Sequence, residues 1–594
     1  MLVATCFASS PTGGDQASSR KPNILLFVSD DQGYGEFGFT GNEHATTPNL
    51  DRLASQSAFY NNFVVSPGCA PTRSTLLTGR HHLLTGTWGV GPRGNTHRDE
   101  TLMPLFLTPS GYETWLFGKM DGTVMMEMEP NDRGFDWFSI IGGGYLQRNP
   151  IMYGHHGGEV IEDWTVDIMT DDVVSQIRSA GDTPWLAYVA YIIPHLPWET
   201  SDEYADPYRE RGYSESFSQL YGSIAQMDDS IGRILDVLEE EGQRDNTIIL
   251  FLSDDGPTEG RPVWVNDGFR NAQRTSDWEL RNPHGLTGQK GEIWDHGIRS
   301  PLIVNWPGRI EPGNRRQFGS VEDILPTLLD LAEIEPEMRP EHLPFTGISL
   351  YPSLKNADHA VSREVFLIAL AGPGEPAGAG RGQIIEDPEN MDYSRLHVTL
   401  RGTRYKFHHL PGGEYRLYDL QNDPGEKNDL SQDYPELIQR VANRAREQWD
   451  EFIASGRTFW MAHMKINNID APFRTDWFIP TNQMEALRGN VVSIFTGGCR
   501  GFKNPGDTAI YKVEAQKTGE FRLTAVGRDF DRSADFELVF NGEVIPARHR
   551  EAGQVDFGEI EIPSGFSDLK IRVPSSAAPG DAEALIERIL VEAL

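Results

Sequence analysis

Five apolar residues near the start of the chain, Ile24-Leu25-Leu26-Phe27-Val28, are flanked by Asn23 and Ser29 and stop at Asp30-Asp31. A run this short and this apolar predicts a strand buried on both faces, as in a parallel sheet. Two adjacent carboxylates at its end are costly to hold together without a cation. The arrangement recurs. Thr114–Phe117 leads into Gly118-Lys119-Met120-Asp121-Gly122, Pro184–Ile192 into Pro194-His195-Leu196-Pro197, and Thr247–Leu252 into Ser253-Asp254-Asp255-Gly256. Pro301–Trp306 reads as a further short strand. Thr47–Leu53 reads as a helix start, and Ile224, Met227, Ile231, Ile234, Leu235 and Leu238 recur at helical spacing. Strands alternating with helices imply an α/β fold with a mostly parallel central sheet flanked by helices. Ligands of such sheets bind beyond the carboxyl ends of the strands. In this chain the charged residues gather there, segment after segment.

A second stretch, Cys69-Ala70-Pro71-Thr72-Arg73-Ser74-Thr75-Leu76-Leu77-Thr78-Gly79, reads as a helix entered through Pro71 and ended by Gly79. It places Cys69 at a helix N-terminus, where backbone N–H groups favour an anion. Arg73 reaches back toward the same place. Asp30, Asp31, Asp254 and Asp255 make two carboxylate pairs on two strand ends, and all-oxygen ligands suit a hard cation. Crowded carboxylates favour Ca2+, with Mg2+ the alternative.

The eleven residues from Cys69, with the motifs around Asp30, Lys119, His195, Asp254 and Lys290 in the same order, resemble type I sulfatases of the alkaline phosphatase superfamily. The resemblance spans roughly Lys21 to Ser455. It implies that Cys69 is oxidised to formylglycine by a formylglycine-generating enzyme. The hydrated aldehyde then attacks sulfur beside a metal held by Asp30, Asp31, Asp254, Asp255 and residue 69. It also implies that Lys119 and Lys290 hold the sulfate, that Arg73 steadies residue 69, and that His195 serves the leaving oxygen. The chain departs from the family pattern in three places. Asp255 stands where Asn is frequent. Asp121 stands where a His helps expel sulfate, with His155 and His156 as alternative imidazoles. Asp295-His296-Gly297-Ile298-Arg299 stands for Glu-Gly-Gly-x-Arg, and His296 is expected to face substrate. Trp198, Trp264, Trp294, Arg261 and Arg270 are pocket candidates by loop position.

The expected activity is hydrolysis of a sulfate ester on a sulfated carbohydrate. Phosphonate monoester or phosphodiester hydrolysis, and non-catalytic binding of a sulfated glycan, are the rival readings. With 87 acidic and 53 basic residues the formal charge is −34, which argues against nucleic acid as a partner. No apolar run reaches membrane-spanning length. Three cysteines, Cys6, Cys69 and Cys499, make no disulfide framework. Residues 1–20 read as a leader or a truncated signal segment, which suits a periplasmic or extracellular enzyme. Four segments are expected: that leader, a catalytic domain over 21–363, an antiparallel-sheet subdomain over 364–481 and a β-sandwich over 482–594. In the third, Arg401–Phe407 and Tyr415–Leu420 read as strands, Asn422–Glu426 as a turn and Tyr434–Ser455 as a helix. In the fourth, Ala509–Ala515, Glu520–Val526, Asp535–Phe540, Val555–Ile562, Leu569–Val573 and Ile586–Glu592 read as strands.

Overall fold

The computed structural model describes residues 20–594 except 88–95, 98, 121–129, 143–145, 259–262, 266–267, 271–274, 370–392, 456–462, 467–475, 481–483, 489–491, 494–498, 516–517, 531–534, 552, 582–583 and 594. Cys6, Asp121 and Arg261 lie outside the described residues, as do the side chains of Trp264 and Arg270.

The first part of the chain runs β1 (Asn23–Ser29), α1 (Pro48–Ser55), β2 (Ala58–Val64), α2 (Cys69–Thr78), β3 (Glu113–Gly118), β4 (Trp137–Gly142) and β5 (Ile151–Gly154). It continues through α3 (Thr165–Ser179), β6 (Trp185–Ala190), α4 (Glu215–Glu240), β7 (Thr247–Ser253), α5 (Thr275–Arg281) and β8 (Arg299–Asn305). β1 lies between β6 and β7 and is parallel to both. β3 and β4 extend the sheet in parallel beyond β6, and β5 follows antiparallel. On the other side β8 lies between β7 and β2, antiparallel to each.

The apolar run of β1 is continuous because both of its faces are covered. Ile24, Leu26 and Val28 point into one core. Leu25 and Phe27 point into the other, with Met227, Ile231 and Ile234 of α4. Each such side chain contributes about 1.5–3 kcal/mol on burial. The register aligns Ser29 with Ser253 and both Val28 and Gly118 with Ala190. Asp30 and Asp254 therefore leave the sheet at one level, with Lys119 and Tyr191 one residue before it.

The sheet is mostly parallel, as expected, and β8 is one of its antiparallel strands. Among the described residues between β7 and β8 the one helix of more than one turn is the short α5. The register of β8, Ile303 opposite Phe251 and Asn305 opposite Ile249, makes the chain enter β8 from the carboxyl end of β7.

The next subdomain is an antiparallel sheet ordered β9 (Glu364–Ile368), β10 (Val398–Gly402), β11 (Tyr405–Leu410), β12 (Glu414–Asp419). Helix α6 (Pro435–Ala454) covers it through Ile438, Ala442, Ala445, Trp449 and Phe452. The alternation over Arg401–Phe407 belongs to two strand ends, not one strand. Arg401 pairs with Lys406 across a turn. Toward the C-terminus, strands from Thr508–Ala515 to Ala584–Ala593 form two mainly antiparallel sheets. Phe521, Leu538, Phe557, Ile571 and Val591 share one core between them. Strands Glu543–Pro546 and His549–Glu551 add to those read from sequence. Among the described residues no helix is long and apolar enough to cross a membrane.

Candidate active site

Asp30 and Asp31 follow β1 directly, and both are buried. The Asp30 N–H donates to Ile193 O at 2.9 Å, and the Asp31 N–H to Asp254 Oδ1 at 3.1 Å. Asp31 has φ of 64°, a left-handed backbone unusual outside glycine. This turns its carboxylate toward the second pair. Asp254 and Asp255 follow β7, where the Asp254 N–H donates to Ser29 O at 3.1 Å.

α2 begins at Cys69 itself, behind Gly68 at φ of 142°. That backbone suits glycine and sets the helix start against the sheet. Cys69, Asp30 and Asp254 offer ligand atoms within 4.8 Å of one another, as do Asp31, Asp254 and Asp255, and Asp30, Asp31 and His195. One turn along α2, Arg73 donates from Nε to Asp254 Oδ2 at 2.8 Å and from Nη1 to the Tyr188 hydroxyl at 3.1 Å. Lys119 is fixed by its N–H to Ala190 O at 2.8 Å, and its Nζ lies 2.6 Å from Asp30 Oδ2. Lys290 bonds Asp31 Oδ1 and stands 3.8 Å from Asp255 Oδ2. His195 follows β6, with Nε2 3.9 Å from Asp31 Oδ2 and Nδ1 2.5 Å from Leu196 O.

The carboxylates do not suit one another without further positive charge. Burial, then the charge of Asp31, pushes Asp255 well above the usual carboxylate range. Burial, then Asp30, pushes Asp254 up. Burial pushes Asp31 up as well, but Lys290 and His195 overcome it and hold Asp31 low. Both carboxylate oxygens of Asp255 and one of Asp30 are buried without a hydrogen-bond partner. Four carboxylates face three cations, Arg73, Lys119 and Lys290, among the described residues. One negative charge is left over. A divalent cation would offset that excess when all four carboxylates are ionised. The donor set and its bare oxygens thus fit a hard divalent cation.

Two lysines read as equivalent differ in position. The Lys119 side chain is fully buried against Asp30, whereas Lys290 is 13% and His195 23% exposed. Lys290 and His195 face the mouth.

Other predicted residues are not brought together here. β5 runs back from Ile151 opposite Gly142 to Gly154 opposite Ser139. It carries His155 and His156 away from the carboxyl ends, where His156 bonds Asp172 at 2.8 Å. His296, expected at the substrate, is fully buried against Trp278, with Nδ1 3.1 Å from Gly288 O. Burial, foremost, pushes its imidazole down to about 3. Trp198 is buried and donates to Pro194 O at 2.9 Å. Trp294 packs on His408.

Sequence reasoning missed several supports. Glu36 accepts the Gly33 N–H at 2.8 Å and pairs with buried Arg281, whose Nη1 donates to Thr258 O at 2.7 Å. Arg281 lies 5.3 Å from the rings of both Trp198 and Trp278. It ties the Asp31 loop to the segment after Asp255. Glu36 was close enough to Asp31 to be suspected. Arg281 carried no local signal.

A family model described as Sulfatase matches residues 22–334. The N-acetylgalactosamine-6-sulfatase of Homo sapiens is 28% identical over 376 residues, covering 57% of this chain and 67% of that protein. The fold is similar to that of BT4656 in complex with its substrate D-glucosamine-2-N,6-O-disulfate. That match has a TM-score of 0.56 and 19% identity, covering 74% of this chain and 99% of that one. It is also similar to the phosphonate monoester hydrolase of Agrobacterium radiobacter, with a TM-score of 0.52 and 19% identity, covering 73% of this chain. That match covers 96% of the hydrolase.

Proposed function

The chain belongs to the sulfatase family and is a sulfuric ester hydrolase, and we propose that its substrate is a sulfated carbohydrate. The observation that carries the catalytic reading is the meeting of Cys69, Asp30 and Asp254 within ligand distance at the start of α2. A lone buried cysteine would be inert. One beside two carboxylates of a candidate metal site and at a helix N-terminus is placed for chemistry.

Asp30, Asp31, Asp254 and Asp255 would hold the metal, Ca2+ or Mg2+, together with residue 69. Such an ion, when bound, supplies positive charge that lowers the cost of charge developing on oxygen. Formylglycine at position 69, when formed by a formylglycine-generating enzyme, supplies a hydroxyl nucleophile that cysteine lacks.

The chain's own residues do the rest. Arg73 holds Asp254 in its ligand position. Lys119 neutralises Asp30 from beneath. Lys290, at the mouth, meets the sulfate oxygens. The His195 Nδ1–H donates to Leu196 O, which leaves Nε2 turned to the site. There it faces the leaving oxygen as the general-acid candidate, 3.9 Å from Asp31 Oδ2. Carbohydrate is favoured by the likeness to a structure bound to a sulfated glucosamine. A periplasmic or extracellular location suits such a substrate.

The same cations would meet a monoanionic phosphonate monoester or phosphodiester, and the fold is also similar to that of a phosphonate monoester hydrolase. The test is anion release from sulfated saccharides, an aryl sulfate, a phosphodiester and a phosphonate. The protein is co-produced with a formylglycine-generating enzyme, and Cys69→Ala is the control. Sulfate release that disappears in the control is expected. Preferred release of the phosphorus acids would overturn the substrate class. No turnover of any ester, with formylglycine verified by mass, would leave glycan binding without catalysis.

A further inference from the structure

The loop carrying Lys290 is held at both ends by one turn of the neighbouring antiparallel subdomain. At its start, Thr287 Oγ1 donates to Gly425 O at 2.6 Å, and Lys427 Nζ donates to Thr287 Oγ1 at 2.8 Å. At its end, the Asp295 N–H donates to Glu426 Oε2 at 2.7 Å. The turn is pressed close, since a Cβ on Gly425 would lie 2.8 Å from Gly285 O.

A buried charge network backs this grip. Lys406 Nζ lies 2.8 Å from Asp295 Oδ1 and 2.9 Å from Glu426 Oε1, with all three side chains essentially inaccessible. Arg401 Nη2 adds a contact to Asp295 Oδ2 at 3.2 Å. His408 Nε2 donates to Glu426 Oε1 at 3.0 Å, and His397 Nε2 stands 3.0 Å from His408 Nδ1. Glu426 itself has φ of 56°, a strained backbone for a non-glycine residue. Such strain persists only where surrounding contacts over-determine it. From the loop the connection continues to the metal ligands. The Lys290 N–H donates to Pro257 O at 2.9 Å, and the Gly256 N–H to Gly297 O at 3.0 Å.

A subdomain that merely covered apolar surface would need none of these charges. Burying them is costly, and they are aimed at one loop. We propose that the Gly425–Glu426–Lys427 turn, through Glu426 and Lys406, is a positioning device that sets where the Lys290 ammonium stands against the incoming sulfate group. The inference rests on Lys290 being the sulfate-facing cation.

The test uses the full-length, formylglycine-bearing protein with Ca2+ at mildly alkaline pH. Inorganic sulfate is the binding probe, read by calorimetry, and para-nitrophenyl sulfate the kinetic one. Glu426→Gln should weaken sulfate binding and lower kcat, each about tenfold, as small misplacements in a site do. In a Lys290→Ala background the same substitution should cause no further loss, because its effect passes through Lys290. Thr287→Val should show the same pattern more weakly, and stands in where Glu426→Gln fails to fold. Losses that persist undiminished in the Lys290→Ala background, or sulfate affinity unchanged in both variants, would overturn the proposal. Wild-type protein that neither binds nor releases sulfate would overturn the underlying reading of Lys290 instead.

Discussion

Arg73 places both Nε and Nη2 on one oxygen of Asp254, at 2.8 and 2.7 Å, with neither side chain accessible. This pair joins the first turns of α2, and with them Cys69, to the end of β7. Arg73→Ala would leave a buried carboxylate beside Asp30 with its main counter-charge gone. Breaking a buried pair in this way costs about 3–5 kcal/mol. Arg73→Lys keeps the charge but loses the fork, and should cost less. Denaturant unfolding of metal-free protein should rank wild type above Arg73→Lys above Arg73→Ala. A variant Arg73→Ala as stable as wild type would show that the pair does not hold the helix.

Asp255 raises a contrary expectation. Its buried oxygens have no hydrogen-bond partner, and its carboxyl is pushed well up by burial and by Asp31. Asp255→Asn should therefore stabilise the metal-free protein by a shift of a few degrees. It should also shrink the stabilisation gained on adding Ca2+. Thermal unfolding with chelator and then with Ca2+ reads both signs. A variant that loses stability in chelator, or gains as much from Ca2+ as wild type, would remove Asp255 from the metal site.

Glu426 makes stability depend on pH. Burial, foremost, raises its carboxyl to about 7 from 4.5, against the opposing charge of Lys406. A raised acid is protonated more readily in the folded state. Its contribution is fully present below about 4.5 and is lost as pH rises through about 7. Glu426→Gln removes this titration. Across that window wild type should lose up to about 3 kcal/mol relative to the variant. Unfolding free energies for both proteins at several pH values test it. A constant difference would mean that Glu426 titrates normally.

Gly118 ends β3 one residue before Lys119, with φ of 87°, and a Cβ there would stand 2.2 Å from Ala190 O. The same carbonyl receives the Lys119 N–H. Gly118→Ala should lower stability by about 1–3 kcal/mol and displace Lys119 from Asp30. Sulfate release should then fall more than unfolding accounts for. Full activity in a folded Gly118→Ala protein would show that Lys119 tolerates movement.

Much of the site was legible because it sits where the chain leaves buried strands. At β1, β3, β6 and β7 the apolar run ends and a charged residue begins. Asp30, Lys119, His195 and Asp254 stand out for that reason. Arg281 and Glu426 did not stand out. Their chemistry lies in partners more than 100 residues away, Glu36 and Asp295. Nor could sequence separate His155 and His156 from the site. The antiparallel return of β5 carries them off, and no local pattern encodes that direction.

The sequence by itself determined which strands would be buried on both faces, which residues would stand at their ends, and that crowded carboxylates would call for a cation. These follow from local hydrophobicity and from the cost of placing like charges side by side. Only the tertiary structure decided that Lys119 lies beneath Asp30 while Lys290 reaches the mouth, that β8 runs antiparallel, and that a turn of the second subdomain grips the Lys290 loop. Those outcomes depend on register and on loop return, set by packing between segments far apart in the chain.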